Sequence, residues 1–373
     1  MASGTGIYIV GAGGLYGTQP EADVHLGVSV VQLGPHRAAQ LAELRAAHAL
    51  ARADRSALLA LLAARTAMAA AGWEPGTAMG INVGSARGAT EQLEYHHRQF
   101  IDQGYTHSQA SPSTTAGQLA ALLAQQLGAT NGPVFSHSIT CSSAGFALAN
   151  AVAWLRAGMV SRFLAGGAEA PLTPFVVAQM QALGIYAAAE APYTAWPCRP
   201  LSAQARGMIL GEGAALFALT TETAGAQARI LGLGFGNERV PSATGITPTG
   251  DCLYASMQAA LADAGCTPDA VDLVLAHAPG TRVGDSAEQA ALGRLFGTLM
   301  PARYSTKWYT GHTFGASAGI SLLVALGLLQ GEPLPPVPFE SEMRAPEPDQ
   351  VQRILINSVG FGGNAVSILI SRV

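Results

Sequence analysis

Charge is scarce in this chain: Asp, Glu, Lys and Arg together make up 12% of its 373 residues, about half the roughly 25% usual in soluble domains. So few charges leave little for a salt-bridged surface and predict extensive burial or a large subunit interface. Disorder is excluded as the main state, because 49% of the residues are hydrophobic and disordered chains show the reverse balance. There is no basic block, and the net charge is −4, so nucleic acid finds no electrostatic footprint. Long apolar runs are also missing. The stretch 57–64 stops at Arg65, far short of the ~18 residues a spanning helix needs. The first residues show no positive segment leading into an apolar stretch and a cleavage site, which predicts a cytoplasmic protein.

Two further scarcities narrow the chemistry. Only Cys141, Cys198, Cys252 and Cys266 occur, with no Cys-x-x-Cys or His-Glu-x-x-His spacing, which argues against a disulfide framework and against a metal site. Of twenty basic residues only Lys307 is a lysine. Where arginine fills every other cationic position, a surviving lysine points to a site that needs a compact ammonium rather than a planar fork.

What the chain does have is alternation of strand-like and alanine-rich helical runs, the pattern of an α/β protein. Strands are predicted at 7–10, 79–83, 135–140 and 163–167, with helices over 38–72 (broken near 52–55), 116–127 and 142–157. The segment 106–115 is polar and Ser/Thr-rich, and the stretch from 168 to about 206 is loop-rich. The second half repeats the order: 7–14 is echoed by 230–236, 79–84 by 273–280, 135–159 by 304–329, and 163–167 by 354–359. Such repetition predicts two βαβ-rich halves, 1–224 and 225–373, packed sheet beside sheet with a helical layer between.

Gly11-x-Gly13-x-x-x-Gly17 after a strand raises a dinucleotide-binding turn, but the acidic residue expected about twenty positions on is absent. It reads instead as a glycine turn packing strand against helix. Cys141 precedes a helix that begins Ser142-Ser-Ala-Gly, where unpaired N–H groups favour an anion and would lower a thiol's pKa. The other three cysteines lack that context and read as structural. His277 ends one strand, in His277-Ala-Pro-Gly-Thr281, and His312 holds the corresponding place after the next. Two histidines at matching turns suggest one shared site. His25, His36, His48, His96, His97, His107 and His137 read as structural, with His96 and His97 on an exposed polar helix face. Gly360-Phe-Gly-Gly-Asn364 suits a turn whose N–H groups point at a ligand.

Together, Ile139-Thr-Cys141-Ser-Ser-Ala, Cys198-Arg-Pro, Gly211-Glu-Gly-Ala, His277-x-x-Gly-Thr with Asp285 and Glu288, Lys307 with Gly311-His312, and Gly360-Phe-Gly-Gly resemble the beta-ketoacyl-acyl carrier protein synthases of the thiolase-like superfamily. They come in that family's order over 135–373. The resemblance implies a thiolase-like fold of duplicated βαβαβ halves, layered α/β/α/β/α. It also implies an elongating ketosynthase that performs decarboxylative Claisen condensation. Priming-type relatives carry asparagine in place of His312, thiolases need a second late cysteine, and chain-length-factor subunits usually lack the nucleophile.

By the same resemblance Cys141 takes the acyl group, and its N–H with that of Phe361 forms the oxyanion hole. His277 and His312 donate hydrogen bonds to an enolate, and Lys307, with Glu288 beside it, orients His312. Phe361 acts as gate, and Thr281 and Thr313 meet the pantetheine arm. No cofactor beyond the carrier's phosphopantetheine is implied. The expected partners are an acyl carrier protein and a second subunit, either a copy of this chain or a chain-length-factor homologue. Pro279 for threonine, Pro200-Leu-Ser202, Ala205-Arg-Gly207 and the directly following Asn364 depart from the pattern and point to a specialised polyketide or polyene pathway. The alternative is a ketosynthase-like subunit, non-catalytic or only decarboxylating, that shapes a partner's acyl pocket.

Overall fold

The computed structural model describes residues 6–23, 26–47, 50–188, 195–240, 242 and 244–373; His25 and His48 lie outside them. The first half runs β1 (Ile7–Tyr16), β2 (Glu21–Asp23), β3 (Val28–Val31), α1 (Pro35–Ala46), α2 (Arg55–Ala70), β4 (Gly80–Gly84), α3 (Thr90–Gln103), α4 (Ala110–Thr114) and α5 (Gln118–Leu127). It continues with β5 (Val134–His137), α6 (Ser143–Arg156), β6 (Arg162–Glu169), α7 (Pro174–Ala182), β7 (Leu210–Gly211) and β8 (Gly213–Thr220). The second half is β9 (Ala228–Asn237), α8 (Asp251–Ala264), β10 (Leu273–Leu275), α9 (Arg282–Phe296), β11 (Ala302–Tyr304), α10 (Lys307–Thr310), α11 (Ser317–Leu329), β12 (Arg353–Gly360) and β13 (Asn364–Ser371).

The duplication read from the sequence appears in the strand order. One ten-stranded sheet runs β11-β10-β12-β13-β9-β1-β8-β6-β4-β5. Outward from its middle, β1 is antiparallel to β8, β8 antiparallel to β6, β6 parallel to β4 and β4 parallel to β5. The series β9, β13, β12, β10, β11 repeats those relations step for step. The halves meet where Ile7, Tyr8 and Ile9 pair antiparallel with Ile230, Arg229 and Ala228. Helices α6 and α11 touch each other between the two halves, while α2 with α5 and α8 with α9 cover the outer faces. Helix α11 is buried on nearly every side, as a helix in a central layer must be.

The Gly-x-Gly pattern has the same explanation in both halves. A Cβ on Gly11 or Gly13 would strike the carbonyls of Ala67 or Ala63 in α2, and one on Gly232 or Gly234 would strike those of Ala260 or Ser256 in α8. Each pair lets a helix backbone lie directly on its strand. Gly11 and Gly13 sit inside β1 rather than in a turn after it, because β1 continues to Tyr16.

Two other expectations are corrected. The loop-rich stretch after β6 carries a full helix, α7, started by Thr173 and Pro174, and the Ser/Thr-rich segment, given no element in the sequence reading, carries the short α4. His96 is buried, facing Thr106 and Ser113 at 3.4 and 3.5 Å, while Tyr95 and His97 are the exposed neighbours. His137 is structural as expected, its Nδ1 lying 2.7 Å from Asn82 Oδ1. Among the described residues no helix is long and apolar enough to cross a membrane.

Candidate active site

The ends of β5 and α6 set the nucleophile. Thr140 is held at φ +50°, a left-handed value that costs a β-branched residue energy and marks a constrained elbow. The elbow is tied down by Ser143, whose Oγ accepts from Ile139 N at 2.9 Å and donates to Thr140 O at 2.6 Å, and by Ser358 Oγ donating to Cys141 O at 3.2 Å. Cys141, 8% exposed, therefore stands just before the first turn of α6, with its side chain at a cavity of about 440 Å³.

The equivalent turns of the second half bring both histidines to the same cavity. Their rings are 5.2 Å apart, edge to face, and both line it with Cys141 and Phe361. His312 is fixed by its backbone, since His312 N donates to Ile209 O at 2.7 Å and Gly211 N donates to His312 O at 3.2 Å. Its ring Nδ1 is 3.0 Å from Ser317 Oγ; with the hydroxyl donating, the ring proton sits on Nε2. Burial and the charge of Lys307 hold both imidazoles well below the usual histidine range, so both are neutral, as expected.

The thiol corrects the sequence reading. Burial pushes Cys141 up to about 12, Glu169 adds to the rise, and Lys307 and Arg87 oppose it. The helix N-terminus therefore does not hold a standing thiolate; desolvation outweighs it, and the resting sulfur keeps its proton. Lys307, 2% exposed, is pulled down to about 8 by burial against the pull of nearby Glu288, Cys141, Cys198 and Asp285.

Glu288 works differently from the expectation. Its carboxylate accepts from His277 N at 3.0 Å, Ala278 N at 2.7 Å and Asn357 Nδ2 at 3.0 Å, so it shapes the His277 turn and reaches Lys307 only through charge. The ring partner of His312 is Ser317, not Lys307. Thr281 lines the cavity, but Thr313 is 1% exposed with its hydroxyl on Ser317 at 3.3 Å. Thr313 lies outside that lining and holds the His312 loop instead of a pantetheine arm.

Phe361 sits in the β12–β13 turn, followed by Gly362 and Gly363 at φ +90° and +72°. Its carbonyl accepts from Asn364 Nδ2 at 2.8 Å and Thr140 Oγ1 at 3.5 Å. Asn364 also bonds Ser142 at the start of α6, so the departure from the family pattern at this residue ties the turn to the nucleophile's helix. Cys198 is fully buried, with Sγ 3.3 Å from Pro279 O, a structural role.

Sequence reasoning quoted Asp285 only as part of a motif and missed Glu169 altogether; both are buried carboxylates. Asp285 accepts from Leu201 N at 2.8 Å and Gly280 N at 3.0 Å. Glu169 accepts from Ser85 Oγ (2.9 Å), Ala86 N (2.7 Å), Arg87 N (3.2 Å) and Gly315 N (2.9 Å). Burial raises each to about 7. The signal for Glu169 was the acid that ends the apolar run 163–168. Among the described residues no cluster of His, Cys, Asp and Glu could hold a metal ion.

Residues 36–224 match the N-terminal domain of beta-ketoacyl synthase and residues 227–338 its C-terminal domain. Nodulation protein E of Rhizobium sp. (strain N33) is 33% identical over 314 residues, covering 79% of this chain and 74% of that one. The 3-oxoacyl-[acyl-carrier-protein] synthase 2 of Staphylococcus aureus is 30% identical over 349 residues, covering 85% and 84%. The ishigamide ketosynthase/chain length factor superposes with a TM-score of 0.87 at 21% identity, covering all of both chains. A ketosynthase of Xenorhabdus doucetiae, solved in complex with its chain length factor, superposes with a TM-score of 0.79 at 22% identity, over 99% of this chain and 98% of that one.

Proposed function

We propose that this chain, which belongs to the beta-ketoacyl synthase family, is an elongating ketosynthase acting on thioesters of an acyl carrier protein. The observation that carries the reading is the pair of neutral imidazoles, 5.2 Å apart, sharing one cavity with a cysteine at a helix start. A pair of uncharged N–H donors suits an enolate oxygen, which needs hydrogen bonds rather than a full acid.

In the first half-reaction Cys141 Sγ attacks the thioester carbonyl of the acyl carrier. The thiol proton passes through an imidazole to the departing pantetheine thiol, and the N–H groups of Cys141 and Phe361 receive the tetrahedral oxyanion. A malonyl carrier then enters along Thr281. Its bond from C2 to the carboxylate carbon breaks, CO2 leaves, and the electron pair forms an enolate held by Nε2–H of His277 and His312. C2 attacks the acyl-cysteine carbonyl, and the sulfur leaves as a thiolate. The start of α6 and the charge of Lys307 stabilise that thiolate until it regains a proton. The chain grows by two carbons, and no resident cofactor takes part.

The Xenorhabdus ketosynthase, similar in fold, pairs with its chain length factor. That supports a ketosynthase-like second subunit here as well, whether a second copy or a homologue. The protein is read as cytoplasmic. The test is to incubate the chain with acyl-loaded and malonyl-loaded carrier protein and weigh it intact. An acyl adduct on wild type that vanishes in Cys141→Ala is expected, with malonyl decarboxylation falling at least a hundredfold in His277→Ala. Decarboxylation without any adduct would favour the decarboxylase reading, and neither would favour the non-catalytic subunit.

A further inference from the structure

We infer that Phe314, backed by Arg87, is a fixed stop that limits the acyl group carried by Cys141 to a short chain. The inference rests on the acyl-enzyme reading above and names its substrate class.

Two phenylalanines line the cavity beside Cys141, and they are built in opposite ways. Phe361 is partly exposed on a turn with glycine on either side. Phe314 is 5% exposed and is clamped from three directions. Its backbone is held at φ +40°. The next residue, Gly315, sits so close to Ala86 and Glu169 that a Cβ there would collide with both. Its ring lies edge-on to His312 at 5.4 Å, and the Arg87 guanidinium stands over it at 5.4 Å from the centroid.

The clamp is one unit. Glu169 accepts hydrogen bonds from the backbone of Ala86, Arg87 and Gly315 together, so the loop carrying Arg87 and the loop carrying Phe314 are fixed to one buried carboxylate. Arg87 Nη1 in turn donates to Gln179 Oε1 of α7 at 2.5 Å. Moving the ring aside would break a cation–π contact and disturb the guanidinium's hydrogen bond to α7.

The ring is itself part of the apolar packing beside the nucleophile. Val176, Val177 and Met180 of α7 pack with Cys141, Met208 and Phe314 in one buried cluster. Arg87 is outside the cavity lining and stands over the ring, so an alkyl chain that displaced Phe314 toward it would meet a charged group and have to desolvate it. The open volume of about 440 Å³ is near the lower end of the roughly 300 to 1,000 Å³ of small-molecule sites, and the pantetheine arm must share it.

The experiment loads acetyl, butyryl and octanoyl groups on carrier protein and reads the rate of adduct formation on the full-length chain by intact mass. Wild type is expected to take acetyl and butyryl at least tenfold faster than octanoyl. Phe314→Leu and Arg87→Leu are each expected to raise the octanoyl-to-acetyl ratio at least tenfold, a ratio that cancels any loss of folded protein. Octanoyl transfer to wild type at the acetyl rate would overturn the stop while leaving the acyl-enzyme reading intact, as would ratios unchanged in both variants. The absence of every adduct would overturn the acyl-enzyme reading and the stop with it. The wild-type ratio needs no variant, so a substitution that unfolds the chain leaves the test standing.

Discussion

At the residue scale the protein keeps its reactive groups uncharged until substrate arrives. A thiol held near 12 is protonated at every physiological pH, and its thiolate fraction rises about tenfold per pH unit. Alkylation of Cys141 by iodoacetamide should therefore climb about tenfold per unit between roughly pH 6 and 7.5, below the value of about 8 at which Lys307 begins to lose its charge; a plateau in that range would show a standing thiolate. Lys307 opposes the rise, so Lys307→Met should slow alkylation at pH 7 relative to wild type. The histidines give a second signature. Their folded pKa values are depressed, so below about pH 6.5 the unfolded chain takes up protons that the folded chain refuses, and stability falls as pH falls. His277→Gln removes one such group. Its stability relative to wild type should improve by about 1.4 kcal/mol per unit below that pH, measured by urea unfolding between about pH 5 and 7. Cys141, His277, Lys307 and His312 were legible because their chemistry demands their identity. Ser317, Glu169, Phe314 and Arg87 were not, because they act by packing and hydrogen bonding with segments distant in sequence. The direction of the thiol shift was hidden for the same reason, since it depends on how deeply the folded chain buries the sulfur.

Elements were legible where a period or a repeat exposed them. The echo of one half in the other anticipated four of the five strand pairs that form two matching series, all but β8 and β13, because the duplicated segments keep small residues at the same contacts. Helix α7 escaped notice because its apolar residues follow no clear face, and α4 because five residues show no period at all. The glycine pairs of β1 and β9 are the sharpest case of sequence written for packing. A methyl on Gly13 meets backbone of α2 rather than a side chain that could turn away, and overpacking of this kind costs about 1 to 3 kcal/mol. Gly13→Ala and Gly234→Ala should each lower the urea midpoint accordingly, and NADH fluorescence should not change on mixing with wild type. Quenching of NADH by wild type that is lost in Gly13→Ala would restore the dinucleotide reading.

The whole molecule leaves one side of its sheet open. At the far edge of the second half, β11 is shielded, since Arg344 N donates to Arg303 O at 2.9 Å. The opposite edge, β5, has no strand on its outer side among the described residues, and Val134 there is 42% exposed. Leu93, Phe100, Ile101 and Tyr105, on or next to α3, and Phe175 of α7, are more than half exposed as well. A bare edge and a set of exposed apolar side chains are features that soluble proteins cover, and a chain with so few charges has little to cover them except another subunit. Two β5 strands pairing about a twofold axis would bury Val134 in the contact, so Val134→Asp would place an unpaired charge there and weaken association on the order of tenfold or more. Light scattering of the purified chain should report a dimer for wild type and monomer at the same concentration for Val134→Asp. If wild type alone runs as a monomer and pairs only with a co-expressed ketosynthase-like homologue, the edge belongs to a heterodimer. If the variant and wild type are equally dimeric, the interface lies elsewhere, and the open edge must be closed by some other means.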